Sequence, residues 1–347
     1  YHRKNYLIMD GIAPIIIITV VLALIFDFIN GANDAANSIS TIVATRVLSP
    51  AKAVVWAAFF NFAALWIFQS TEVSKTMSKG VIDASVVDGD NYFIFCSLVG
   101  AIIWGWICTR FGLPISISHT LIGGLIGPAL VKAGPDALLW FEPDHKGIGW
   151  IGIFILLAPI IGLFTAYTLQ IITLWIFRRT RPGKVDGFFQ VMQLVSSAAF
   201  SLGHGSNDAQ KTAGIIILLL ASAGHASIDA PPQWVFYACY TVIGLGTLIG
   251  GWKVVKTMGH NLTPLKPMGG FCAETAGAIT LFGTAAMGIP ASTTHTITGS
   301  IMGVGAAKRV SAVRWSVVTK IMWAWILTIP AAMIMSGLIY YIVSFFV

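Results

Sequence analysis

The chain has 347 residues, of which 56% are hydrophobic and only 10% are charged, with a formal net charge of +7 and a mean hydropathy of +0.81. Soluble domains carry about 25% charged residues, so this composition excludes a soluble globular protein and predicts one membrane domain in contact with the lipid bilayer. The Lys and Arg residues fall in short loops, where they determine topology, so the positive charge does not indicate a nucleic-acid partner.

The apolar segments predict an all-α integral membrane protein, because a helix needs about 20 residues to cross a bilayer. Helices of the first half are predicted at 11–30, 32–46, 51–70, 91–110, 114–131 and 148–178. Helices of the second half are predicted at 187–204, 206–222, 233–250, 267–287, 289–307 and 313–345. The glycines between the first two segments of each half predict a broken helix, and the polar stretches 71–90 and 253–267 predict amphipathic connections.

Two motifs occur twice in the chain. The stretch 30–37 is repeated at 203–210, and the stretch 112–120 is repeated at 288–296, so both motifs recur after nearly the same separation. Nearly constant spacing of several matches predicts an internal duplication. The predicted units are a first repeat over 1–178, a link over 179–186 and a second repeat over 187–347.

The distribution of charge predicts how the two repeats are oriented in the membrane. The region around the link carries four basic residues and is predicted to be cytoplasmic by the positive-inside rule. Arg46 and Lys52 mark one loop of the first repeat, whereas the equivalent loop of the second repeat carries Asp229. This reversal predicts two inverted-topology repeats with broken or re-entrant helices that meet at a central site, in a multi-pass protein of the cell membrane.

Proline precedes the Ser/Thr cluster in both copies of the second motif, at Pro114 and Pro290. Proline suits the first position of a helix, where free N–H groups and the positive end of the dipole attract an anion. Hydroxyl groups in both first turns would add donors for phosphate: Ser116, Ser118, Thr120, Ser292, Thr293, Thr294 and Thr296. The alternative is that these hydroxyls bond back to carbonyl groups of their own helix.

Two acidic residues lie within the apolar surroundings of the first motif, where a carboxylate at the bilayer centre costs about 2.5–3.5 kcal/mol. Such a cost predicts a function in ion transport. Carboxylate and amide oxygens are ligands for Na⁺, and a carboxylate can also carry H⁺. The predicted cation or sodium site consists of Asn33, Asp34, Asn207 and Asp208, of which Asn33 and Asn207 are also candidates for phosphate binding. The alternative is that the acidic residues only join helices.

The two copies differ at one position, because Asn37 in the first copy corresponds to Lys211 in the second. Lys211 follows Asp208 by three residues, so both side chains share one helical face and could form an ion pair. Such a lysine could take the place of one coupling cation or add positive charge near the anion. The alternative is that it reaches toward the membrane interface. Asn37 and Lys211 are both candidates for cation coupling.

Two histidines and one glutamate are further candidates for cation or proton coupling. His119 and His295 follow the hydroxyl clusters and could relay protons, or they could be neutral hydrogen-bonding groups at the helix starts. Glu274 lies within a predicted membrane helix, at a position that is apolar in the first half, so it could bind a proton or a cation. The Gly-x-x-x-Gly pairs at 123–127 and 299–303 predict close helix packing.

Together these four motifs resemble the inorganic phosphate transporter (PiT) family, which has a Gly-Ala-Asn-Asp-type signature and a Pro-x-Ser-x-Ser/Thr-His motif in each half. The resemblance covers essentially the whole chain. It implies an inverted-repeat fold with the substrate site between the halves, and symport of phosphate with Na⁺ or H⁺. The second signature, Ser-Asn-Asp-Ala-Gln-Lys, is similar to a bacterial branch that is associated with proton or metal-phosphate symport. Some similar proteins carry sulfate.

We predict a secondary-active symporter that imports inorganic phosphate with H⁺ or Na⁺ by alternating access, without a cofactor. Sulfate is the alternative substrate. Hydrogen phosphate can donate a hydrogen bond to a carboxylate, whereas sulfate would be repelled, so contact with Asp34 or Asp208 would favour phosphate. An enzyme is not expected, because the sequence has no Gly-x-Ser-x-Gly or His-Glu-x-x-His motif. A passive channel would not need paired Asp motifs, and a homodimer is left open.

Overall fold

A computed structural model describes residues 13–67, 70–143 and 146–346, and their regular structure consists of α-helices, short 3-10 turns and isolated β-bridges. The helices of the first half are α1 (Pro14–Ala44), α2 (Pro50–Ile67), α3 (Glu72–Lys79), α4 (Phe93–Phe111), α5 (Ile117–Ala133) and α6 (Ile148–Ile176). Those of the second half are α7 (Pro182–Ser222), α8 (Gln233–Ile249), α9 (Trp252–Asn261), α10 (Pro267–Ala286), α11 (Thr293–Lys308) and α12 (Trp315–Val343). The prediction of an all-α protein is confirmed.

Several helices are long and apolar enough to cross a membrane. Among the described residues these are α1, α2, α4, α6 and α12, and the pair α8 and α9, bent by 75°, would count as a sixth span. Large apolar side chains such as Phe59, Trp106 and Phe164 are exposed on the outside, while many polar side chains are buried. A surface of this kind is stable in lipid but not in water, which agrees with a multi-pass membrane protein.

The helix breaks predicted in the first motif are wrong. Helix α1 continues through Gly31 and α7 through Gly205, so the separate helices predicted at 32–46 and 206–222 do not exist. A Cβ atom on Gly31 would collide with the backbone of α8, and one on Gly205 with the backbone of α2. Glycine in a helix interior costs about 1 kcal/mol, but here it allows two helix backbones to touch, so the helix continues.

Breaks are found instead before α5 and α11. Gly112 and Gly288 have φ values of 69° and 70°, in the left-handed region that favours glycine. Ser116 and Ser292 then cap the next helices, since each side chain accepts a hydrogen bond from the backbone three residues later. The prolines lie two residues before each cap, so the prediction that they open these helices is wrong.

Helix packing repeats between the two halves. Helix α5 packs on α12 and α11 packs on α6, α1 packs on α8 and α7 on α2, and the short helices α3 and α9 pack on α7 and α1. Each contact recurs with the halves exchanged, which agrees with an internal duplication. Inversion of the repeats and their boundaries stay predictions, and α7 begins at Pro182, inside the predicted link 179–186.

The Gly-x-x-x-Gly pairs lie at the closest of these helix contacts. Gly127 lies against α12, and a Cβ atom on Gly303 would collide with the carbonyl oxygen of Leu163 in α6. The prediction that these glycines allow close packing is confirmed. These contacts hold α5 and α11, and therefore the first turns of both helices, against long membrane helices.

Candidate functional site

The two predicted carboxylates meet in the middle of the protein, where α1 and α7 approach the first turn of α11. Asp34 on α1 and Asp208 on α7 are both buried. The hydroxyl oxygen of Thr293 lies 3.2 Å from Asp34 Oδ2 and 3.4 Å from Asp208 Oδ2. Because a hydroxyl has one proton, it can donate to only one carboxylate at a time, so the other oxygen needs another donor or a cation.

Lys211 is buried beside Asp208 and uses all three of its N–H donors. Its Nζ atom lies 2.7 Å from Asp208 Oδ1, 2.7 Å from Ser118 Oγ and 2.6 Å from the carbonyl oxygen of Ala291. These contacts join α7 to the first turn of α5 and to the turn before α11. The prediction of an ion pair between Lys211 and Asp208 is confirmed, and the alternative of a lysine at the membrane interface is wrong.

Asn37 occupies the corresponding position on α1, but its side chain is shorter. Asn37 Nδ2 donates to Thr294 Oγ1 at 2.9 Å and lies 3.2 Å from Thr293 Oγ1, and Thr294 Oγ1 donates to the carbonyl oxygen of Ile115 at 3.1 Å. Within the described part of the chain, Asp34 Oδ1 and Asn37 Oδ1 are buried without a hydrogen-bond partner. Buried acceptors of this kind indicate a place for a cation or a proton.

His204, which was not predicted, also faces the carboxylates. Thr247 Oγ1 donates to the carbonyl oxygen of Ile243 and therefore accepts from Asn61 Nδ2 at 2.9 Å. This orientation directs Asn61 Oδ1 to His204 Nδ1, 3.0 Å away, so Nδ1 carries a proton. A neutral His204 then presents the lone pair of Nε2 to Asp208 Oδ2 at 3.3 Å. His204 precedes Asp208 by four residues on α7, so both side chains lie on one face of the helix, and this spacing could have indicated His204 from the sequence.

Three of these side chains form a group that could hold a metal ion. One ligand atom from each of Asp34, His204 and Asp208 lies within 4.8 Å of the others, and all three residues are buried. The group overlaps the predicted cation site in Asp34 and Asp208. Carboxylate oxygens suit Na⁺ and the imidazole suits a transition metal, so the donor set does not select one ion by itself.

The predicted amides at Asn33 and Asn207 form bonds between helices. Asn33 Nδ2 donates to Thr109 Oγ1 in α4 at 2.7 Å, and Asn207 Nδ2 donates to the carbonyl oxygen of Leu281 in α10 at 3.1 Å. These bonds fix α1 and α7 on either side of the carboxylates. A direct contact of Asn33 or Asn207 with phosphate or sodium stays a prediction.

The predicted hydroxyls separate into two groups. Thr120 and Thr296 donate to the carbonyl oxygens of Ser116 and Ser292, and the side chains of these two serines serve as helix caps. For these four residues the alternative of bonds within the helix agrees with the structure, because the hydroxyls at i+4 complete the first turn. The hydroxyls that reach the centre are those of Ser118, Thr293 and Thr294.

The two histidines of the second motif contact each other. Their rings are 4.6 Å apart in an edge-on arrangement, His295 stacks on Trp325 at 3.7 Å, and His295 Nδ1 lies 3.2 Å from the carbonyl oxygen of Ile155. His119 therefore packs where α5 and α11 meet. Within the described residues His119 Nδ1 and His295 Nε2 are buried without a hydrogen-bond partner, and a role of these rings in proton relay stays a prediction.

Glu274 forms a second buried polar cluster. Its carboxylate accepts hydrogen bonds from Thr41 at 2.5 Å, Gln193 at 3.0 Å and Ser196 at 2.5 Å. Thr41 lies on α1, seven residues after Asp34. The carboxylate thus connects α10 to α1 and α7, and binding of a coupling ion there stays a prediction.

The amino-acid sequence is similar to known phosphate transporters over most of its length. A model of the phosphate transporter family matches residues 30–336. The chain belongs to this family. A Rhizobium meliloti protein, named a probable low-affinity inorganic phosphate transporter, is 50% identical, with 94% of this chain and 96% of that protein covered. A Bacillus subtilis protein with the same name is 38% identical, with 97% and 99% covered.

A solved structure described as the sodium-dependent phosphate transporter has the same fold. Its TM-score is 0.83 over 96% of this chain and all of that chain, at 23% sequence identity. The family match and the two relatives confirm the resemblance to inorganic phosphate transporters, and their names, which are those of transporters, agree with the prediction that the chain is not an enzyme. The buried cluster around Asp34 and Asp208 is the candidate site of this chain.

Proposed function

We propose that the chain is a secondary-active symporter, which imports inorganic phosphate together with H⁺ or Na⁺ by alternating access. The observation that supports this most directly is the pair of buried carboxylates at Thr293, with a single lysine beside them. Two carboxylates and one ammonium leave one negative charge, so an anion can enter only if at least one cation enters too. Coupling follows from this charge balance.

The same arrangement favours phosphate over sulfate. In this conformation Thr293 donates to a carboxylate and Thr294 donates to the carbonyl oxygen of Ile115. The first turns of α5 and α11 contribute free N–H groups and the hydroxyl proton of Ser118, which suit any oxyanion. The carboxylates next to them accept hydrogen bonds but cannot donate them. Hydrogen phosphate has a proton to donate, and sulfate has none at neutral pH. The relatives named above are also called phosphate transporters, and none of these names refers to sulfate.

In this proposal the protein lies in the cell membrane with the link 179–186 on the cytoplasmic side. The central carboxylates and Lys211 are buried, which supports a conformation closed on both sides of the membrane. Transport would require the helix contacts around α5 and α11 to open alternately toward each side. Binding of a cation would offset the net negative charge of the two carboxylates and Lys211, so that the anion can bind and the closed state can form.

Uptake of labelled phosphate into proteoliposomes tests this proposal. We expect accumulation above the outside concentration when a Na⁺ or H⁺ gradient is imposed, little competition by unlabelled sulfate, and loss of accumulation in Asp34→Asn. Lys52→Asn, at an exposed position on α2, serves as the control and should behave like the unmodified protein. Uptake that only equilibrates phosphate would contradict symport, and concentrative uptake of sulfate would contradict the substrate.

A further inference from the structure

The contacts of Lys211 have counterparts in the other half of the protein. Both repeated motifs recur after nearly the same separation in the sequence, so each position of one copy can be matched to a position of the other. This matching gives every oxygen atom that Lys211 contacts a counterpart in the first copy, and one of these counterparts, Thr294 Oγ1, accepts a hydrogen bond from Asn37. Asp208 corresponds to Asp34, Ser118 to Thr294, and the carbonyl group of Ala291 to that of Ile115.

The oxygens of Asp34, Thr294 and Ile115 form the first set, and those of Asp208, Ser118 and Ala291 form the second set. The two sets differ in the charge of the side chain beside them. In the second set the ammonium of Lys211 lies 2.6–2.7 Å from a carboxylate, a hydroxyl and a carbonyl oxygen. In the first set Asn37 has no charge, and within the described residues Asp34 Oδ1 and Asn37 Oδ1 lack hydrogen-bond partners. Carboxylate, hydroxyl and carbonyl oxygens are also the ligands that membrane transporters use for small cations. One set thus contains its own cation, and the other does not.

The charges of the described residues in contact with the site lead to the same conclusion. Asp34 and Asp208 contribute two negative charges, Lys211 contributes one positive charge, and His204 is counted as neutral because its Nδ1 proton is directed to Asn61. Asp27 is not counted, because its carboxyl group bonds to Thr212 and not to these residues. One additional monovalent cation makes this cluster neutral before phosphate is counted. With Asn in place of Lys211, two would be needed.

We propose that Lys211 is a covalently attached counter-ion, which permanently holds the place at Asp208 that a mobile cation takes at Asp34. This inference rests on the proposed symport. It states that the central site binds one mobile cation per phosphate. A site with Asn at both position 37 and position 211 would bind two mobile cations per phosphate. Lys211 also fixes Ser118, because Ser118 Oγ accepts from Nζ and keeps its own proton free for the anion.

Two variants change the number of attached cations in opposite directions. Lys211→Asn removes the lysine beside Asp208, and Asn37→Lys introduces one beside Asp34. Each purified protein is reconstituted into proteoliposomes with labelled inorganic phosphate, and the membrane voltage is set with K⁺ and valinomycin. The voltage at which net phosphate flux reverses, measured under Na⁺ and pH gradients, gives the number of cations per phosphate. We expect Lys211→Asn to raise this number by one and Asn37→Lys to lower it by one. Lys52→Asn should leave it unchanged.

A purely structural lysine would not change the number of cations. If the variants transport phosphate at the unmodified ratio, the proposal is wrong, although symport itself would stand. If both variants are folded but inactive, ethylammonium is added to Lys211→Ala, and we expect at least a tenfold recovery of uptake. Failure of this rescue would also reject the attached counter-ion. No gradient-driven uptake by the unmodified protein would reject the proposed function itself.

Discussion

Ser118→Ala and Thr120→Val compare two hydroxyls in one turn of α5. The sequence alone predicts the same role, phosphate binding, for both of them. Ser118 Oγ accepts from Lys211 at 2.7 Å, whereas Thr120 Oγ1 donates to the carbonyl oxygen of Ser116 at 3.1 Å. Each substitution removes a single hydroxyl from the beginning of α5. Only Ser118→Ala is expected to impair phosphate transport strongly.

The size of the effect follows from the contacts that are lost. In Ser118→Ala the hydroxyl proton that is proposed to donate to phosphate is lost, and a hydrogen bond to a charged group contributes about 1.5–3 kcal/mol. Since about 1.4 kcal/mol corresponds to a factor of ten, half-saturation of uptake should rise roughly 10- to 100-fold. The hydroxyl of Thr120 contributes to the helix alone, so Thr120→Val should change half-saturation by less than about threefold.

The assay is the initial rate of labelled phosphate uptake into proteoliposomes over a range of phosphate concentrations. The amount of folded protein in each preparation is measured by size-exclusion chromatography. Equal impairment of both variants would refute the reasoning, because the direction of each hydroxyl would then not matter. An unaffected Ser118→Ala variant would refute it as well.

Two further predictions concern stability in detergent, measured by thermal unfolding. Gly303→Ala should destabilise the protein by about 1–2 kcal/mol, because overpacking against α6 costs about 1–3 kcal/mol and exceeds the gain in helix propensity. Gly152→Ala, where a Cβ atom meets nothing within 4 Å, should be neutral or stabilising, and equal effects would contradict the packing argument. Burial raises the pKa of Asp90, but hydrogen bonds, one of them from Tyr340 at 2.6 Å, outweigh burial and hold that pKa below its usual value. A lowered pKa stabilises the folded protein above the usual value of about 4, and this contribution is lost as the pH falls through the folded-state pKa. Tyr340→Phe should therefore lower the melting temperature at pH 7 and have less effect at pH 3, while Tyr341→Phe should have little effect at either pH.

Helix type and membrane location could be predicted from the sequence because they depend on composition and on local patterns. Long apolar segments have one stable form in lipid, since only a helix satisfies its own backbone hydrogen bonds there. The pairing of Lys211 with Asp208 was also local, because three residues along a helix bring two side chains to one face. Repetition of the motifs likewise identified Asp34 and Asp208 as members of one site.

Continuity of α1 and α7 could not be predicted in this way. Glycine signals a break when only its neighbours in the sequence are known. Gly31 and Gly205 lie instead where the backbones of α8 and α2 press against them, and those helices are far away in the sequence. Tertiary contact therefore overrode the local preference for a break.

The tertiary structure also decided which hydroxyls reach the centre. Ser118 and Thr120 have similar chemistry and the same helix turn, but α7 brings Lys211 to one of them only. In the same way, Asn61 of α2 orients His204 toward Asp208, although Asn61 and His204 lie far apart in the sequence. The sequence by itself predicted the membrane class, the duplication and most chemical groups of the candidate site, but not His204. The orientation of those groups depends on helices that meet only in the folded protein, because hydrogen bonds act over about 3 Å and not along the chain.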